Sequence, residues 1–276
     1  MKIGLIQLNV GPSPSENLPF LLSAISSCVG KGAEIVFTPE VTNCLETDVT
    51  RQKQVLQLEP DDIVLAALQD AAQTFGVWLQ VGSLALKSGD ADGRLANRGF
   101  LIDPNGIITA RYDKIHMFDV QLSETEGFRE SARYRPGKTV VLADGPGCKL
   151  GLSICYDLRF SYLYRTLAQA GAQILTVPAA FAQTTGEAHW HILLRARAIE
   201  TGCFVVAPAQ TGIHGGSEAA LRQTYGHSLV VAPWGEVLLD MGTPPGDSVI
   251  DVDLSEVARA RARVPAIDSD AEYSGP

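Results

Sequence analysis

The amino-acid sequence predicts an α/β fold in a single domain. Segments with the pattern of β-strands alternate with segments of helical periodicity along most of the 276 residues, and this alternation is typical of α/β proteins. It runs evenly through both halves of the chain, without a linker, an internal repeat or a low-complexity tract. A chain of this length can bury a sizeable core as one domain. We therefore predict one domain over residues 1–276, with a C-terminal arm from about residue 255.

The first half of the chain is predicted to begin with a strand and to end in a hairpin. Short apolar runs bounded by glycine or proline predict the strands, and apolar residues at helical spacing predict the helices. Asp103-Pro-Asn-Gly106 is a strong turn signal between the last two strands. The predicted strands are residues 2–8, 33–38, 76–83, 98–102 and 107–112, and the predicted helices are residues 16–29 and 61–72.

The second half begins after a stretch, residues 113–138, that has no regular pattern. A charged loop of this length in a compact domain is usually functional. The next helix has Asp157 or Ser161 as candidate caps and Gly171 as its stop, and residues 211–224 are expected to form a polar, glycine-rich loop. The other predictions are strands at residues 150–154, 173–177, 203–208, 227–232, 237–241 and 248–252, helices at residues 189–201 and 255–263, and an arm or frayed end at residues 266–276.

The composition argues against several classes of function. The formal net charge of -9 argues against nucleic acid or an anionic membrane surface as the main partner. A strand pattern follows Met1 directly, so we expect no signal peptide, and no apolar stretch approaches the roughly 20 residues that span a bilayer. The five cysteines are scattered without Cys-x-x-Cys spacing. This favours free thiols in a reducing compartment, here the cytoplasm, over a disulfide framework or a zinc site.

Three residues with catalytic potential follow predicted strands. Glu40, Lys114 and Cys155 come one or two residues after three of these strands, and in open α/β sheets the site forms outside the carboxyl ends of strands. Cys155 also precedes a helix, whose positive end favours the thiolate over the thiol. Each residue has a structural alternative, because Glu40 could be a solvated turn residue, Lys114 a surface charge and Cys155 a packing residue.

Together these residues supply what a thiol nucleophile requires. A thiolate attacks a carbonyl, and a nearby carboxylate, here Glu40, can accept the thiol proton and later activate a water. A lysine ammonium stabilises both the thiolate and the oxyanion of a tetrahedral intermediate. The backbone N–H just after the nucleophile, here that of Tyr156, is expected to be the second oxyanion donor.

Three motifs resemble, in order and spacing, the catalytic motifs of the nitrilase superfamily of carbon–nitrogen hydrolases. They are Phe37-Thr-Pro-Glu40, Tyr112-Asp-Lys-Ile-His-Met-Phe-Asp119 and Gly151-Leu-Ser-Ile-Cys-Tyr-Asp-Leu-Arg-Phe160. The resemblance covers nearly the whole chain up to about Leu254. Within the superfamily, the chain most resembles the Nit amidase branch, which includes deaminated glutathione amidases and ω-amidases. Tyr225-Gly-His-Ser228 is one of the segments that lean toward the deaminated glutathione amidases.

The resemblance implies a four-layer α-β-β-α sandwich that pairs into at least a dimer. It implies Glu40 as general base, Cys155 as nucleophile and Lys114 as the group that stabilises the oxyanion. It also implies Glu130, in the patternless loop, as a second active-site glutamate that orients Lys114 and the substrate amide. The bare sequence does not distinguish Glu130 from two other glutamates of that loop, Glu124 and Glu126.

Two segments depart from the family pattern. Residues 263–273 are acidic where the family has a basic, proline-containing segment, so a dimer interface there would differ. Residues 120–127 lack an expected Pro-Gly, which leaves the shape of the pocket mouth open.

The residues around the nucleophile have competing interpretations. Arg159, four residues past Cys155, is a candidate for contact with an anionic substrate, and so is Phe181. A structural pairing of Arg159 with Asp157 is the alternative that we favour. Cys44 follows Glu40 closely enough to approach the pocket, but we interpret it as a spare thiol.

The histidines and the other arginines favour structural roles. His189 and His191 are two residues apart and so lie on different faces of a helix, whereas paired metal ligands are usually four apart. We therefore predict no metal site. Arg195 and Arg197 could bind an anion, but arginines in such a helix more often pair with a carboxylate such as Glu200.

The sequence therefore predicts a cytoplasmic thiol amidohydrolase that acts on a small, carboxylate-bearing amide and needs no cofactor. Cys155 would form an acyl-thioester with release of ammonia, and Glu40 would activate the water that hydrolyses it. One alternative is an ω-amidase acting on α-ketoglutaramate-like amides, and a carbamoyl substrate is another. A third is an inactive binding protein of the same fold, against which the presence of Glu40, Lys114, Glu130 and Cys155 argues.

Overall fold

The computed structural model describes residues 1–121, 127–215, 221–272 and 274–275. Parts of the loops at residues 120–127 and 211–224 therefore lie outside the described residues, and so do Glu124 and Glu126.

Strands and helices alternate along the described chain as the sequence predicts. In chain order the strands are β1 (Lys2–Gln7), β2 (Ile35–Phe37), β3 (Trp78–Lys87), β4 (Leu95–Ile102), β5 (Ile108–Asp113), β6 (Asp119–Gln121), β7 (Gly127–Arg129), β8 (Leu142–Asp144), β9 (Lys149–Leu152), β10 (Ile174–Thr176), β11 (Phe204–Ala207), β12 (Thr211–His214), β13 (Arg222–Tyr225), β14 (Leu229–Val231), β15 (Val237–Asp240) and β16 (Gly246–Asp251). The α-helices are α1 (Pro14–Gly30), α2 (Val49–Val55), α3 (Ile63–Phe75), α4 (Ser161–Gln169), α5 (Gln183–Thr201) and α6 (Ser255–Arg263). None of these described helices has the length and apolar character that a bilayer-crossing helix needs.

Twelve of these strands form two six-stranded sheets. The first has the order β16-β1-β2-β3-β4-β5 and the second has the order β15-β14-β11-β10-β9-β8. The central strands β1, β2 and β3 are parallel to one another, as are β9, β10 and β11. β16 pairs antiparallel with β1 and so joins the two ends of the chain within one sheet.

The two sheets pack face to face between outer helices. Successive side chains of a strand point to opposite faces of its sheet, and β2 divides its residues accordingly. Ile35 and Phe37 pack into the same core cluster as Leu150 of the second sheet. Val36 packs into a different cluster, together with residues of α1 and α3. Residues of α4 and α5 pack on the second sheet, among them Leu167 and Trp190. The result is a four-layer α-β-β-α sandwich, which confirms the predicted fold class.

The sequence missed short elements that carry little apolar pattern. Two hairpins, β6–β7 and β12–β13, lie in the stretches that were expected to be loops. α2 was also missed, because only Gln52 of its seven residues is buried. α5 begins six residues before the predicted start. Its first turn contains Gly186, where a Cβ atom would lie 2.3 Å from Cγ of Tyr225, so close packing rather than helical periodicity decides that turn.

Gly82 of β3 allows the segment after β2 to lie against the sheet. A Cβ atom at this position would lie 2.1 Å from the carbonyl oxygen of Thr38 and 2.4 Å from that of Pro39. Only glycine fits such an approach. This contact fixes the segment that carries Glu40.

The C-terminal arm is docked over part of its length. α6 is the short polar helix that the sequence predicts, and Ile267 beyond it is buried. Arg165 of α4 donates to the carbonyl oxygen of Ala266 at 3.3 Å and pairs with Asp270 at 2.8 Å. Asp270 of the arm thus has a partner on α4, so this part of the arm is not frayed.

Candidate active site

A cavity of about 700 Å³ lies beyond the carboxyl ends of β2 and β5 in the first sheet and of β9 and β10 in the second. This is the position at which parallel strands of α/β sheets place their functional residues. The wall contains six of the seven predicted site residues, all except Arg159, together with polar side chains that the sequence did not single out. The lining includes Glu40, Cys44, Glu46, Gln52, Asn97, Lys114, Phe118, Phe128, Arg129, Glu130, Arg133, Tyr134, Cys155, Tyr156, Phe181 and Arg222.

Glu40 lies three residues after β2 and is almost fully buried, with 4% of its surface exposed. Its Oε1 atom accepts hydrogen bonds from Nδ2 of Asn97 at 2.8 Å and Nζ of Lys114 at 3.0 Å. Its Oε2 atom accepts from the backbone N–H of Ala180 at 2.8 Å. Three donors therefore hold one buried carboxylate in a fixed orientation, with its negative charge compensated by the lysine.

Lys114 follows β5 and is 2% exposed, between two carboxylates. Its Nζ atom lies 3.0 Å from Oε1 of Glu40 and 2.9 Å from both oxygens of Glu130. Glu130 lies in a 3₁₀ turn after β7, and its Oε2 atom also accepts from the backbone N–H of Phe118 at 2.6 Å. The structure therefore brings Glu130 to Lys114 as the family resemblance implied.

Cys155 is the first residue of a 3₁₀ helix that follows β9. Its φ of 50° lies in the left-handed region, which is uncommon for a residue other than glycine. The backbone N–H of Cys155 donates to the carbonyl oxygen of Pro178 at 2.9 Å, so the strained turn is held by the neighbouring strand connection. Strained residues of this kind cluster at active sites.

The backbone N–H of Tyr156 has no acceptor among the residues that the structure describes. Tyr156 is the second residue of this 3₁₀ helix, and the first N–H groups of a helix have no partner within it. Tyr156 also lines the cavity. Its position agrees with the one predicted for the second oxyanion donor.

The charges of the site keep the proton on sulfur and not on Glu40. Burial, and then the negative charge of Glu40, raise the pKa of the Cys155 thiol well above its ordinary value, and Lys114 opposes this only in part. Burial alone would also raise the pKa of Glu40, but the charges of Lys114 and Arg222 lower it below its ordinary value. The resting pair at neutral pH is therefore a thiol beside a carboxylate.

This result corrects the expectation of a thiolate. Proximity to a helix start does favour the thiolate, but a carboxylate in contact with a buried sulfur outweighs it. The pKa of Lys114 is raised well above its ordinary value, since the charges of Glu130 and Glu40 outweigh its burial. Lys114 is therefore a permanent cation in the site.

Asp157 fixes the turn that carries Cys155. Its Oδ2 atom accepts from the backbone N–H of Ile154 at 2.9 Å and from the hydroxyl of Tyr112 at 2.7 Å. Its Oδ1 atom accepts from the backbone N–H of His116 at 2.9 Å and lies 2.7 Å from Nδ1 of that ring. Asp157 is fully buried, so these donors replace the solvent that a carboxylate loses on burial.

The expected pairing of Arg159 with Asp157 is wrong. The guanidinium of Arg159 lies over the rings of Tyr156 and Phe181, with Cζ 5.8 Å and 5.5 Å from their centroids. Phe181 lines the cavity, whereas Arg159 lies behind this aromatic wall and contacts Nδ1 of His189 at 3.3 Å. Arg159 does not pair with Asp157 because Tyr112 and His116, from a segment distant in sequence, already donate hydrogen bonds to both oxygens of that carboxylate.

The arginines of α5 have structural partners. Arg197 pairs with Glu200 at 2.9 Å, which confirms the predicted interaction with a carboxylate. Arg195 donates to the carbonyl oxygen of Gly235 at 2.8 Å. Cys44 does line the cavity, but burial raises its pKa to about 12, which fits the interpretation as a spare thiol.

Three ligand-capable side chains meet outside the cavity. Nε2 of His191 lies 3.1 Å from Asp240, and Nδ1 of His227 lies 2.9 Å from the same carboxylate. Their ligand atoms are within 4.8 Å of one another, so they could hold a metal ion. The sequence missed this grouping because β14 and β15 bring His227 and Asp240 to α5. Asp240 already accepts hydrogen bonds from both rings and from the N–H of Gly242. The grouping lies outside the cavity, so it has no part in the chemistry of the active site.

Asn97 and Arg222 are site residues that sequence reasoning missed. Asn97 lies on β4, and its position as a buried amide within an apolar strand was a usable signal. Arg222 begins β13 and follows a polar loop, where an arginine is unremarkable. Only the folded chain brings it within electrostatic reach of Glu40.

The model of the carbon–nitrogen hydrolase family matches residues 2–262 of this chain. Among curated relatives, the deaminated glutathione amidase of Yersinia enterocolitica is 40% identical over 86% of this chain and 81% of its own length. The deaminated glutathione amidase of Dictyostelium discoideum is 35% identical over 97% and 92%. The omega-amidase of Danio rerio is 32% identical over 96% and 92%.

Solved structures agree with these sequence relatives. The NitFhit protein of C. elegans superposes with a TM-score of 0.89 at 34% identity over 96% of this chain, which spans 63% of that protein's length. An amidase from Nesterenkonia sp. AN1 superposes with a TM-score of 0.77 at 27% identity, over 96% of this chain and 98% of its own. That structure is a glutamate-to-glutamine mutant showing Michael addition of acrylamide at the active-site cysteine.

Proposed function

The chain belongs to the carbon–nitrogen hydrolase family, and from this membership and the geometry of the cavity we propose how it cleaves amides. Cys155 is the nucleophile, Glu40 the general base, and Lys114 with the backbone N–H of Tyr156 the oxyanion site. The observation that carries the proposal is the buried Glu40–Lys114 pair, with a contact of 3.0 Å, facing a thiol whose proton it can accept.

The resting protonation states set the order of the steps. Glu40 takes the thiol proton as sulfur attacks the carbonyl carbon, and the oxyanion that forms is stabilised by the Lys114 ammonium and the Tyr156 N–H. Collapse of the tetrahedral intermediate breaks the C–N bond, and Glu40 gives its proton to the departing amine. Glu40 then deprotonates the water that hydrolyses the thioester. Glu130 holds Lys114 in place throughout.

We propose deaminated glutathione, or a close analogue, as the substrate class. Deaminated glutathione amidases cover at least 95% of this chain in several of the comparisons, and three arginines line the cavity for an anionic substrate: Arg129, Arg133 and Arg222. With this substrate the leaving group is the amine of a peptide, whereas a primary amide releases ammonia. An ω-amidase specificity for α-ketoglutaramate-like amides is the second candidate, because the Danio rerio relative carries that name.

Parallel kinetics on the two substrates would separate these candidates. We expect kcat/KM for deaminated glutathione to exceed that for α-ketoglutaramate by at least about tenfold, a difference of roughly 1.4 kcal/mol in transition-state binding. A preference of that size for α-ketoglutaramate would assign the chain to the ω-amidases. Absence of hydrolysis of both amides, and of simple primary amides, would favour the binding protein.

The rate should be independent of pH across the neutral range. Because the pKa of Glu40 lies below its ordinary value and that of Cys155 above, the carboxylate–thiol pair persists between them. For a neutral amide such as valeramide, we expect kcat/KM to be flat from about pH 6 to 8 and to fall only below about pH 4.3, the ordinary glutamate pKa. A rise with slope one between pH 6 and 8 would show instead that a thiolate must first form by titration.

We propose a homodimer that pairs through an exposed apolar face of α5 and the turn after β14. Ile192 and Ile199 on α5 are 69% and 57% exposed, and Trp234 is 45% exposed. Ile199 packs against the turn at Gly235, so part of this surface is continuous, and such surfaces commonly mark an interface. Light scattering should give twice the mass of one chain, and Ile199→Asp should give the monomer. A monomeric parent protein would exclude the dimer.

We also propose that the protein works in the cytoplasm on a small molecule, with neither nucleic acid nor membrane as a partner. The formal net charge of -9 argues against those two partners, because it disfavours binding to polyanions. The five cysteines without Cys-x-x-Cys spacing support a reducing compartment.

A further inference from the structure

His191, His227 and Asp240 form a cluster outside the cavity, which we call the His–Asp cluster. Its members come from different parts of the chain, since His191 lies on α5, His227 precedes β14 and Asp240 ends β15. Nε2 of His191 lies 3.1 Å from Oδ2 of Asp240, and Nδ1 of His227 lies 2.9 Å from Oδ1. The fold thus gathers two imidazoles and one carboxylate at one point.

The spacing of these atoms suits a divalent transition-metal ion. Two ligand atoms that each lie about 2.1 Å from a tetrahedral ion are about 3.4 Å apart. The two distances from Asp240 to the ring nitrogens are close to this value, and all the ligand atoms lie within 4.8 Å of one another. Small side-chain rotations therefore suffice to complete the site, and imidazole and carboxylate are ligands that zinc binds in proteins.

The backbone and the neighbouring rings hold His227 in its orientation. Its φ of 53° lies in the left-handed region, and Nε1 of Trp190 donates to its carbonyl oxygen at 2.8 Å. Its ring stacks on that of Tyr225, with centroids 4.4 Å apart, and meets the ring of His191 edge to face at 5.2 Å. A ligand that is already fixed in this way loses little conformational freedom when an ion binds.

Both rings can release the proton that faces Asp240 without losing another contact. A metal ion binds a deprotonated imidazole nitrogen, so the proton must move to the other ring nitrogen or leave. Within the described part of the chain, Nδ1 of His191 and Nε2 of His227 have no hydrogen-bond partner. The side chains of His191 and His227 are 33% and 23% exposed, which also leaves room for water to complete the coordination.

The carboxylate of the cluster is not neutralised by a permanent cation. In the described ranges, the ion-pair partners of Asp240 are the two imidazoles, with neither lysine nor arginine. Asp113, which is exposed to a similar extent, pairs with Arg98. Glu187 lies one turn before His191 on α5 and so adds a second negative charge on the same face of the helix. The surroundings therefore favour a bound cation.

We propose that the His–Asp cluster binds one divalent transition-metal ion such as Zn²⁺, with water in the remaining positions, and that this ion ties α5 to the hairpin of β14 and β15. The spacing of His189 and His191 argued against a metal site within α5, but this site takes one ligand from each of three segments. It is independent of the proposed amidase function, because none of its ligands lines the cavity.

Titration with Zn²⁺ tests the site. Cys155→Ala serves as the parent protein, so that the active-site thiol does not compete for the ion. We expect one Zn²⁺ per chain, with a Kd on the order of 10 μM or tighter. Adding His191→Gln keeps a hydrogen-bond donor for Asp240 but removes a metal ligand, and adding Asp240→Asn removes the charge. Each should weaken binding at least about tenfold, and circular dichroism without metal checks the fold.

His189→Gln is the matched control for this titration. His189 is also a histidine of α5, but it lies on a different face and contacts Arg159. It should change the Kd by less than about twofold. Absence of Zn²⁺ binding to the parent, or equal binding in all the variants, would overturn the proposal. A loss in His189→Gln as large as that in His191→Gln would overturn it as well.

Thermal unfolding tests the structural role of the ion. Free Zn²⁺ at about 100 times the Kd should raise the Tm of the parent by roughly 5 °C, and a chelator should reverse the rise. At the same Zn²⁺ concentration, the rise in the His191→Gln variant should be about half as large or less, since its sites bind more weakly. A parent Tm that Zn²⁺ leaves unchanged would contradict an ion that ties α5 to the hairpin.

Discussion

Replacing Cys155 with alanine is expected to abolish amide hydrolysis and leave the fold intact. The side chain is 7% exposed and close to both Glu40 and Lys114, so the variant removes only the atom that forms the acyl bond. Removal of a nucleophile in an enzyme with covalent catalysis typically lowers kcat by about 10⁴-fold or more. Amine release under saturating substrate measures the loss, and circular dichroism and thermal unfolding report the fold.

Cys148→Ala is the matched control for this experiment. Cys148 is also a buried free cysteine, but it lies in the turn between β8 and β9, away from the cavity. We expect it to retain the parent kcat. A folded Cys155→Ala protein that kept more than about 1% of the parent kcat would be incompatible with the covalent pathway.

Replacing Lys114 with methionine should damage both activity and stability. Loss of a single oxyanion-stabilising group typically costs 10²- to 10³-fold in kcat. The variant also leaves Glu40 and Glu130 close together without the cation between them, and breaking a buried ion pair by removing one partner costs about 3–5 kcal/mol in free energy of unfolding. Denaturant unfolding and steady-state kinetics at pH 7 measure the two effects.

The pH dependence of this variant has a definite sign. Without Lys114, the two carboxylates repel each other and burial favours their neutral forms, so their pKa values in the folded state rise above the unfolded values. The destabilisation should therefore be smallest at acid pH, where both are protonated, and should grow as the pH rises through the folded-state pKa values. Lys138→Met, at an exposed lysine, should shift stability by less than about 0.5 kcal/mol. A Lys114→Met protein as stable as this control would disprove the buried charge pairing.

Much of the site could be predicted because three of its residues come shortly after strands, two of them parallel strands. Glu40 and Cys155 occupy equivalent positions after β2 and β9, and the carboxyl ends of parallel strands converge on one region. Lys114 follows β5, which is antiparallel to its neighbour, yet it closes the same cavity. Glu130 was accessible only through the family resemblance, since its loop has no pattern that separates one glutamate from another.

The rest depended on contacts between distant segments. Asn97 reaches Glu40 because β4 pairs with β3 and β5. The sequence does not reveal that Arg222 and Ala180 meet across 42 residues. The sequence predicted a lowered pKa for Cys155, whereas burial of the sulfur against Glu40 raises it. Local sequence shows the start of the helix but not this burial.

The fold class was predictable from periodicity, whereas several short elements were not. Short, mostly apolar runs mark strands such as β1 and β4, in which most side chains are buried. β12 and β13 include partly buried or exposed positions, among them Ile213 at 58% exposure, so no face of them stands out in the sequence. To predict the four layers from residue patterns alone, one would need to know which strands pair. The sequence pattern does not contain that information.

The most direct test of the central claim is to trap the covalent intermediate. After rapid acid quench of the enzyme during turnover of deaminated glutathione or glutaramate, the peptide that contains Cys155 should carry the mass of the acyl group. Glu40→Gln should slow both the formation and the hydrolysis of that adduct, because Glu40 acts in both steps. Mass spectrometry that found the acyl group on another residue, or no adduct while the amine was released in a pre-steady-state burst, would contradict the assignment of Cys155 as the nucleophile.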